Sequence, residues 1–262
     1  MFESFYFGDE SQALLGHYHP PEGVNHTDYG IVLCYPMGQE YIRCHRAFYI
    51  LACKLSMLGF HTIRFDYYGC GDSYGHCDEG TIQHWQEDIK NAINELQKGV
   101  CLNNIILIGL RLGATLCALE ASENNDVKGL VLWDPVISGK HYLTEIINTH
   151  NIWLKGSFSN KSNDNKDEVL GFSLSNTLKK DLAILSLETL KHNSHTKTLV
   201  INTIENSANI NTNDYFSTLF SIYEYKYLSS SPVWIKDKNK QFDCIVPSET
   251  INYITSWLEM FN

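Results

Sequence analysis

The sequence predicts an α/β fold with a mostly parallel central sheet and helices on both of its faces. Short apolar runs of strand length alternate with longer segments of helical periodicity, and this alternation occurs three times between residues 29 and 134. Such alternation is typical of parallel strands joined by helical crossovers. The length of 262 residues suits one domain, since α/β folds commonly reach about 200–250 residues as a single unit. We therefore expect a single domain over residues 1–262.

Eight segments have the length and composition of strands. The run YGIVLCY at 29–35 is apolar throughout, as expected for a strand that is buried on both faces of a sheet. The first two segments flank the turn Gly-Asp-Glu-Ser and predict a hairpin ahead of the alternating part. In chain order, the predicted strands cover residues 2–7, 13–19, 29–35, 61–67, 104–108, 129–134, 198–202 and 222–228.

Six segments repeat apolar residues every three to four positions, which is the spacing of one helical face. In the first of them Ala47, Leu51 and Leu55 share that face, and Gly59 marks the end of the helix. The Asn-rich run 204–214 is expected to be a loop. In chain order, the predicted helices cover residues 42–58, 79–97, 112–121, 142–153, 175–190 and 247–261.

Residues 137–196 interrupt the alternation of strands and helices. They contain no convincing core strand, and their two predicted helices are separated by the polar segment 157–166. We expect this stretch to form a helical cap, inserted over one edge of the sheet. Its apolar residues, including Trp153 and Phe172, suggest an apolar acyl chain or an aromatic group as ligand.

Charge and hydropathy exclude two classes of partner. The 20 Lys and Arg against 30 Asp and Glu give a net charge of −10, whereas nucleic-acid binding needs a basic face. No apolar stretch reaches the ~18 residues of a membrane span, and the first 15 residues lack the apolar core of a signal peptide. We therefore expect a cytoplasmic protein that binds neither nucleic acid nor membrane.

The eight cysteines and eleven histidines predict no metal site. No two cysteines are spaced as C-x-x-C, and residues such as Cys34 and Cys117 lie in apolar segments, which favours buried, reduced thiols. The histidines follow no ligand spacing. The glycine-rich loop GCGDSYG at 69–75 lacks the phosphate-binding spacing that opens a helix. No cofactor is expected.

The most informative segment is IILIGLRLGA at residues 105–114. Here a predicted strand passes into a predicted helix, with Gly109 and Gly113 placed two residues before and after Arg111. Small residues at those positions allow a sharp turn from strand to helix. In the G-x-S-x-G turn the central residue is a nucleophilic serine. In this chain it is an arginine.

Four ordered motifs carry a resemblance to a known superfamily: YPMGQEYIRCHR at 35–46, RFDYYGCGDSYG at 64–75, GLRLGAT at 109–115 and VLWDPVISG at 131–139. With them, the chain resembles the α/β-hydrolase superfamily. Within it, the likeness is to a serine aminopeptidase-like branch that accompanies exosortase systems or nonribosomal-peptide and polyketide gene clusters. The resemblance implies an α/β-hydrolase fold with a cap, and an ester, thioester or amide as the ancestral substrate class.

The resemblance places the superfamily's catalytic nucleophile at Arg111. A guanidinium has no lone pair to offer and cannot attack a carbonyl. The acid maps to Asp134, or to Glu205 after the later strand. The base histidine would lie at about 228–247, but the last histidine of the chain is His195. Because loss of triad residues costs a factor of ~10⁶ in rate, a standard serine-hydrolase mechanism is rejected.

Two roles for Arg111 remain open. It directly precedes a helix that begins at Leu112, and the unpaired N–H groups and partial positive charge of a helix N-terminus favour anions. In the family, the loop that contains Met37 and Gly38 supplies oxyanion N–H donors. Arg111 would then hold a carboxylate, a phosphate or an acyl oxygen of a ligand.

The alternative role is a structural ion pair. Glu40, Asp66 and Asp134 are predicted at the carboxyl ends of strands or just beyond them, on the same edge of the sheet as Arg111. A buried arginine requires such partners. The two roles are compatible if a pocket opens beside the pair, so these acids are expected in or next to the ligand site.

The expected ligand is a small-molecule acyl compound, bound at the carboxyl ends of the strands under the cap. An acyl or peptidyl carrier protein is a second candidate partner, for which Lys179, Lys180 and 236–240 could form basic patches. Three functions are open: unusual chemistry on an acyl intermediate in secondary-metabolite or related biosynthesis, binding of that intermediate without catalysis, and hydrolysis by another nucleophile.

For a replacement nucleophile the sequence offers Ser73, Cys70 and Cys244. The serine is expected to brace the glycine-rich loop. Each thiol is expected to fill space, because nothing in the sequence indicates a lowered thiol pKa.

Overall fold

A computed structural model describes residues 2–22, 26–156, 167–204, 212–230, 232–234 and 246–262. Its strands are β1 (Glu3–Phe7), β2 (Leu14–His19), β3 (Tyr29–Cys34), β4 (His61–Phe65), β5 (Asn104–Leu110), β6 (Val127–Trp133), β7 (Glu168–Val169), β8 (Phe172–Ser173), β9 (Lys197–Asn202) and β10 (Tyr223–Tyr227). Its helices are α1 (Gly38–Met57), α2 (Ile82–Val100), α3 (Leu112–Glu123), α4 (Gly139–Gly156), α5 (Asn176–Ile184), α6 (Thr212–Leu219) and α7 (Ser248–Leu258).

Eight of these strands form one sheet in the order β1-β2-β4-β3-β5-β6-β9-β10. β1 pairs antiparallel with β2, and β2 pairs antiparallel with β4, while the remaining pairs are parallel. The predicted fold class, a mostly parallel sheet with flanking helices, is confirmed. Arg111, Asp134 and Asp66 each directly follow a parallel strand, so all three lie at the carboxyl edge of the sheet.

Helices cover both faces of the sheet, as the neighbours of β3 demonstrate. A Cβ added to Gly30 would lie 3.1 Å from the Leu96 side chain of α2. The adjacent Tyr29 points the other way and packs its ring edge-on against Phe261, just beyond α7. The central strands β3, β5 and β6 are almost fully buried, which explains their unbroken apolar runs.

The segment between β6 and β9 consists of α4, the short hairpin β7–β8 and α5. The two helices pack on each other, and Leu178 and Leu182 of α5 are buried. The hairpin was not predicted, because two strands of two residues each carry too few positions to show a periodicity.

Three helices also differ from the prediction. α5 ends at Ile184, six residues before the predicted end, and a separate 3₁₀ turn follows at Leu187–Thr189. α1 begins at Gly38, four residues before the predicted start, since contacts of its first turn with other parts of the chain outweigh the local pattern. α6 occupies part of the run expected to be a loop. Its buried residues Phe216 and Leu219 have helical spacing, which the surrounding Asn-rich composition obscured.

The described cysteines are free thiols. Cys34 and Cys117 are buried as predicted, and Cys44 is buried as well. Cys244 lies outside the described residues. Over the same part of the chain, none of the helices combines the length and the apolar character that a bilayer crossing requires.

Candidate functional site

The turn from β5 to α3 places Arg111 at the carboxyl edge of the sheet in a strained backbone conformation. Its φ is +53° and its ψ is −119°, outside the regions that non-glycine residues normally occupy. The flanking glycines permit this turn by close backbone approach. A Cβ on Gly109 would lie 2.5 Å from the backbone of Ala114, and one on Gly113 would lie 2.3 Å from the carbonyl oxygen of Cys34. The geometry of a nucleophile elbow is therefore present with an arginine at its centre.

The Arg111 side chain is enclosed by four residues from three parts of the fold. Its Nε donates to Glu40 Oε1 at 3.1 Å, and its Nη2 lies 2.8 Å from both carboxylate oxygens of Glu145. The guanidinium carbon lies 5.3 Å from the centre of the Tyr142 ring and 5.1 Å from that of Trp234, within the range of cation–π contacts. We call these five residues the Arg111 cluster.

The cluster fixes the charge of Arg111. Burial disfavours a charged guanidinium, but the carboxylates of Glu40 and Glu145 outweigh it and raise the arginine pKa above its usual value. Burial raises the pKa of Glu40, although Arg111 and a 2.8 Å hydrogen bond from the Tyr142 hydroxyl oppose the shift. The guanidinium thus faces two carboxyl groups of the protein, an arrangement that disfavours a further anion.

These contacts bear on the two roles considered for Arg111. Nε and Nη2 are bound to protein carboxylates, and aromatic rings cover the guanidinium. The geometry therefore supports the ion pair rather than an anchor for a ligand's carboxylate or phosphate. Glu40 is one of the three expected partners, whereas Glu145, Tyr142 and Trp234 were not identified from the sequence. Tyr142 and Glu145 are three residues apart on α4, but nothing local in the sequence indicates that this face meets Arg111.

Asp134, expected as the triad acid or as a partner of Arg111, bonds elsewhere. Its Oδ1 accepts the Thr203 backbone N–H at 2.7 Å, and its Oδ2 accepts the Thr203 hydroxyl at 2.9 Å. Burial raises the pKa of Asp134 to about 6, with the Thr203 bonds opposing the shift. This carboxylate joins the ends of β6 and β9 and has no histidine to orient. The alternative acid, Glu205, lies outside the described residues.

Asp66 is likewise engaged away from Arg111. Its Oδ1 accepts the Tyr41 hydroxyl at 2.7 Å, and its Oδ2 accepts the backbone N–H of Asp72 at 3.2 Å. A Cβ on Gly71 would lie 2.1 Å from Oδ2, so glycine is required where the loop closes over the carboxylate. Ser73 Oγ donates to the Asp66 backbone oxygen at 2.5 Å. Asp66 and Ser73 therefore brace the glycine-rich loop, and Asp66 is not a partner of Arg111.

The region where the resemblance implies a base histidine, at about 228–247, includes residues 235–245. These residues, Cys244 among them, lie outside the described part of the chain. The chain has no histidine after His195. His195 is exposed and precedes β9 by two residues, so it lies at the amino edge of the sheet, opposite Arg111. Within the described part of the chain, no three His, Cys, Asp or Glu residues are grouped as metal ligands would be.

The loop that contains Met37 and Gly38 lies beside the cluster, as the resemblance implies. Gly38 has a φ of +60°, and a Cβ there would lie 3.6 Å from the Phe172 ring of the β7–β8 hairpin. Leu112 is the first residue of α3 and is buried, and its backbone N–H has no acceptor within the helix. The gap between this loop, Glu40 and Tyr142 is only 30 Å³, about the volume of one water molecule.

A larger cavity of 410 Å³ lies on the other side of the same loop. Met37 and Gly38 form one wall, Cys70 and Cys77 of the glycine-rich loop and its continuation form another, and Phe172 of the hairpin covers it. Arg111, Glu40 and Asp134 are not among its lining residues. The space for a ligand is therefore displaced from the elbow toward the glycine-rich loop.

The thiols beside this cavity are not equivalent. Burial, reinforced by the nearby Asp66 and Asp88, raises the pKa of Cys70 to about 12, so this thiol stays protonated at neutral pH and is a poor nucleophile. Cys77 is exposed at the cavity mouth. Cys70 therefore does not replace the missing serine.

Known proteins share the fold at low sequence identity. The search of curated proteins found no match. Among solved structures, the esterase Est1E from Butyrivibrio proteoclasticus with ferulic acid bound is 15% identical, with a TM-score of 0.63, covering 98% of this chain and 97% of that one. An esterase from Pyrococcus furiosus is 14% identical, with a TM-score of 0.65, covering 100% and 91%. Mouse alpha/beta hydrolase domain-containing protein 10 is 16% identical, with a TM-score of 0.59, covering 99% and 100%.

These likenesses establish the α/β-hydrolase fold. The family model described as Serine aminopeptidase, S33 matches residues 31–202, which are 172 of the 262 residues. The match runs from β3 to β9 and includes the loop that contains Met37 and Gly38, the glycine-rich loop, the turn at Arg111 and the helices α4 and α5. The chain belongs to the S33 serine aminopeptidase family.

Proposed function

We propose that this chain is a non-hydrolytic member of its family, which binds an acyl compound without cleaving it by a serine mechanism. The observation that carries the proposal is the Arg111 cluster. The side chain at the nucleophile position has no lone pair and is held by the carboxylates of Glu40 and Glu145.

Two further features support a degenerate triad. Both oxygens of Asp134 accept hydrogen bonds from Thr203, so this buried carboxylate has partners that are unrelated to a catalytic base. The chain also lacks a histidine after His195. Replacing one triad residue cannot restore a mechanism in which a second is absent, because the triad acts as a unit.

The proposed ligand is a small acyl ester, thioester or amide, taken from a secondary-metabolite or related biosynthetic pathway. The likeness to a branch that accompanies such gene clusters supports this assignment. A carrier protein is a less favoured partner. Lys179 contacts Asp167 at 2.8 Å, which neutralises one basic candidate, and 236–240 lie outside the described residues.

Activity-based labelling tests the proposal. A fluorophosphonate probe should not label the wild-type protein, and p-nitrophenyl hexanoate should be cleaved no faster than by heat-denatured protein. Arg111→Ser should restore neither labelling nor turnover, because the base histidine is still absent. Covalent labelling of the wild type, or ester turnover that the Arg111→Ser change abolishes, would contradict it.

The remaining alternative is a hydrolase that uses another nucleophile, and Cys77 is the exposed thiol beside the cavity. Ester turnover that a Cys77→Ser change removes would establish this function. The matched control is Cys101→Ser, which changes an exposed thiol at the far end of α2.

A further inference from the structure

The 410 Å³ cavity has the size of a ligand site, since pockets for small molecules span about 300–1,000 Å³. It also lies at the carboxyl edge of the sheet, where α/β folds bind their ligands. A groove of 1020 Å³ is larger, but the first residues of β3 and β5 line it, so it lies at the opposite edge. Position therefore favours the smaller cavity.

Apolar side chains make up most of the cavity lining, and Tyr41, His76 and Ser173 are its polar side chains. The apolar part includes Met37 and Phe172, together with Trp85 and Leu178, which are almost fully buried. The Trp85 Nε1 already donates to the Tyr68 carbonyl oxygen at 3.2 Å. The Cys70 thiol is protonated at neutral pH because burial raises its pKa. An uncharged apolar group gains free energy on entering such a space, whereas a carboxylate exchanges its hydration for few polar partners.

The mouth of the cavity adds a second reason against charge. Cys77 and Ser173 line both the cavity and an adjoining surface groove of 610 Å³. That groove is also lined by Asp78, Glu168 and Asp167, of which Asp167 is paired with Lys179 at 2.8 Å. A negatively charged ligand that approaches the mouth therefore meets the carboxylates of Asp78 and Glu168, which disfavour its association.

We propose that this cavity binds the apolar group of an acyl compound whose carboxyl is masked as an ester, thioester or amide, and that it rejects the free carboxylate. The inference rests on the proposed function and deepens it by naming the chemical form of the ligand and its location. The acyl group enters past Cys77 and packs against Trp85 and Leu178, away from Arg111.

The exposed thiol at the mouth supplies the experiment. Cys77 labelling by N-ethylmaleimide is followed by peptide mass spectrometry, with and without cinnamamide or heptanamide and their anions cinnamate and heptanoate. An amide at about ten times its dissociation constant should slow Cys77 labelling about tenfold, by simple occupancy. Cys101, exposed at the end of α2 and not a lining residue, is the internal control and should react at an unchanged rate.

A variant at the mouth sharpens the test. Ile42 lines the cavity and is 56% exposed, so Ile42→Asp keeps the core intact while adding a negative charge at the entrance. It should weaken protection by the amides, because an apolar lining side chain is replaced by a hydrated carboxylate. Ile184→Asp is the matched control, since Ile184 is 80% exposed and does not line the cavity. It should leave the protection unchanged.

Three results would overturn the inference: equal protection by the carboxylates, no protection of Cys77 by either amide in the wild type, or protection that Ile42→Asp does not weaken. These readouts need no turnover. They are therefore independent of fluorophosphonate labelling and ester cleavage, whose appearance would instead refute the proposed function.

Discussion

Removing the positive charge of the Arg111 cluster should destabilise the protein strongly. In Arg111→Met, Glu40 stays buried against the Tyr142 hydroxyl but loses its cation. Breaking a buried ion pair from one side typically costs about 3–5 kcal/mol. For a protein of this size that corresponds to a fall in Tm of roughly 6–20 °C, at about 2–4 °C per kcal/mol.

The cost should depend on pH, and the sign follows from the pKa of Glu40. Burial raises this pKa, and Arg111 is the largest influence that opposes the rise. Without Arg111, the folded state holds a proton on Glu40 over a wider pH range than the unfolded state does. A carboxyl with a raised pKa contributes stability at low pH that is lost as pH rises from its unfolded to its folded pKa. The deficit of Arg111→Met should therefore grow from pH 5 to pH 8.

Urea denaturation at both pH values, on four proteins, measures the effect. The double variant Arg111→Met/Glu40→Gln should be more stable than Arg111→Met alone, because no unpaired buried charge remains. Lys179→Met is the control: it breaks a surface pair with Asp167 and should cost at most about 1 kcal/mol. If Arg111→Met and Lys179→Met cost the same, or if the double variant shows no recovery, the Arg111 cluster is not the buried ion pair described here.

Three further outcomes are expected from denaturation and expression experiments. Asp88→Asn should stabilise the protein at pH 8 but not at pH 4, because burial raises the pKa of Asp88 to about 7. The buried carboxyl lowers the stability of the wild type as pH rises from 3.8 through that value, so the gain from its removal at pH 8 has an upper limit of about 4 kcal/mol. Gly113→Ala should abolish soluble expression, since its Cβ would lie 2.3 Å from the Cys34 carbonyl oxygen. The control is Gly99→Ala, whose Cβ would have no atom within 4 Å and which should stabilise the protein by about 0.5–1 kcal/mol in thermal melts. Arg111→Gly should be more stable than Arg111→Ala by about 1 kcal/mol in urea titrations, because glycine removes the strain of the positive φ; equal stability would mean that the turn is not strained.

The core of the fold was predictable because its signal is local. β3, β5 and β6 are buried on both faces, so each appears in the sequence as an unbroken apolar run, and the glycines around Arg111 mark the sharp turn. The hairpin β7–β8 carries no such signal, since its strands are two residues long. Local periodicity predicts an element only where the element is long enough to repeat.

The partners of Arg111 were only partly predictable for a different reason. Glu40 was expected because it follows a strand that ends at the same edge of the sheet as Arg111. Glu145 lies on a cap helix 34 residues further along the chain, and Trp234 follows the last strand of the sheet. Which face of the cap meets the elbow depends on how the cap packs, and the sequence pattern contains no measure of that packing.

The retained elbow explains how one substitution could convert a catalytic position into a structural one. The turn from β5 to α3 aims the central side chain outward from the sheet edge, whatever that side chain is. A serine there is short, whereas the longer guanidinium of Arg111 reaches Glu40 on α1 and Glu145 on α4. Arg111 thus links α4 to α1 through the position at the centre of the turn.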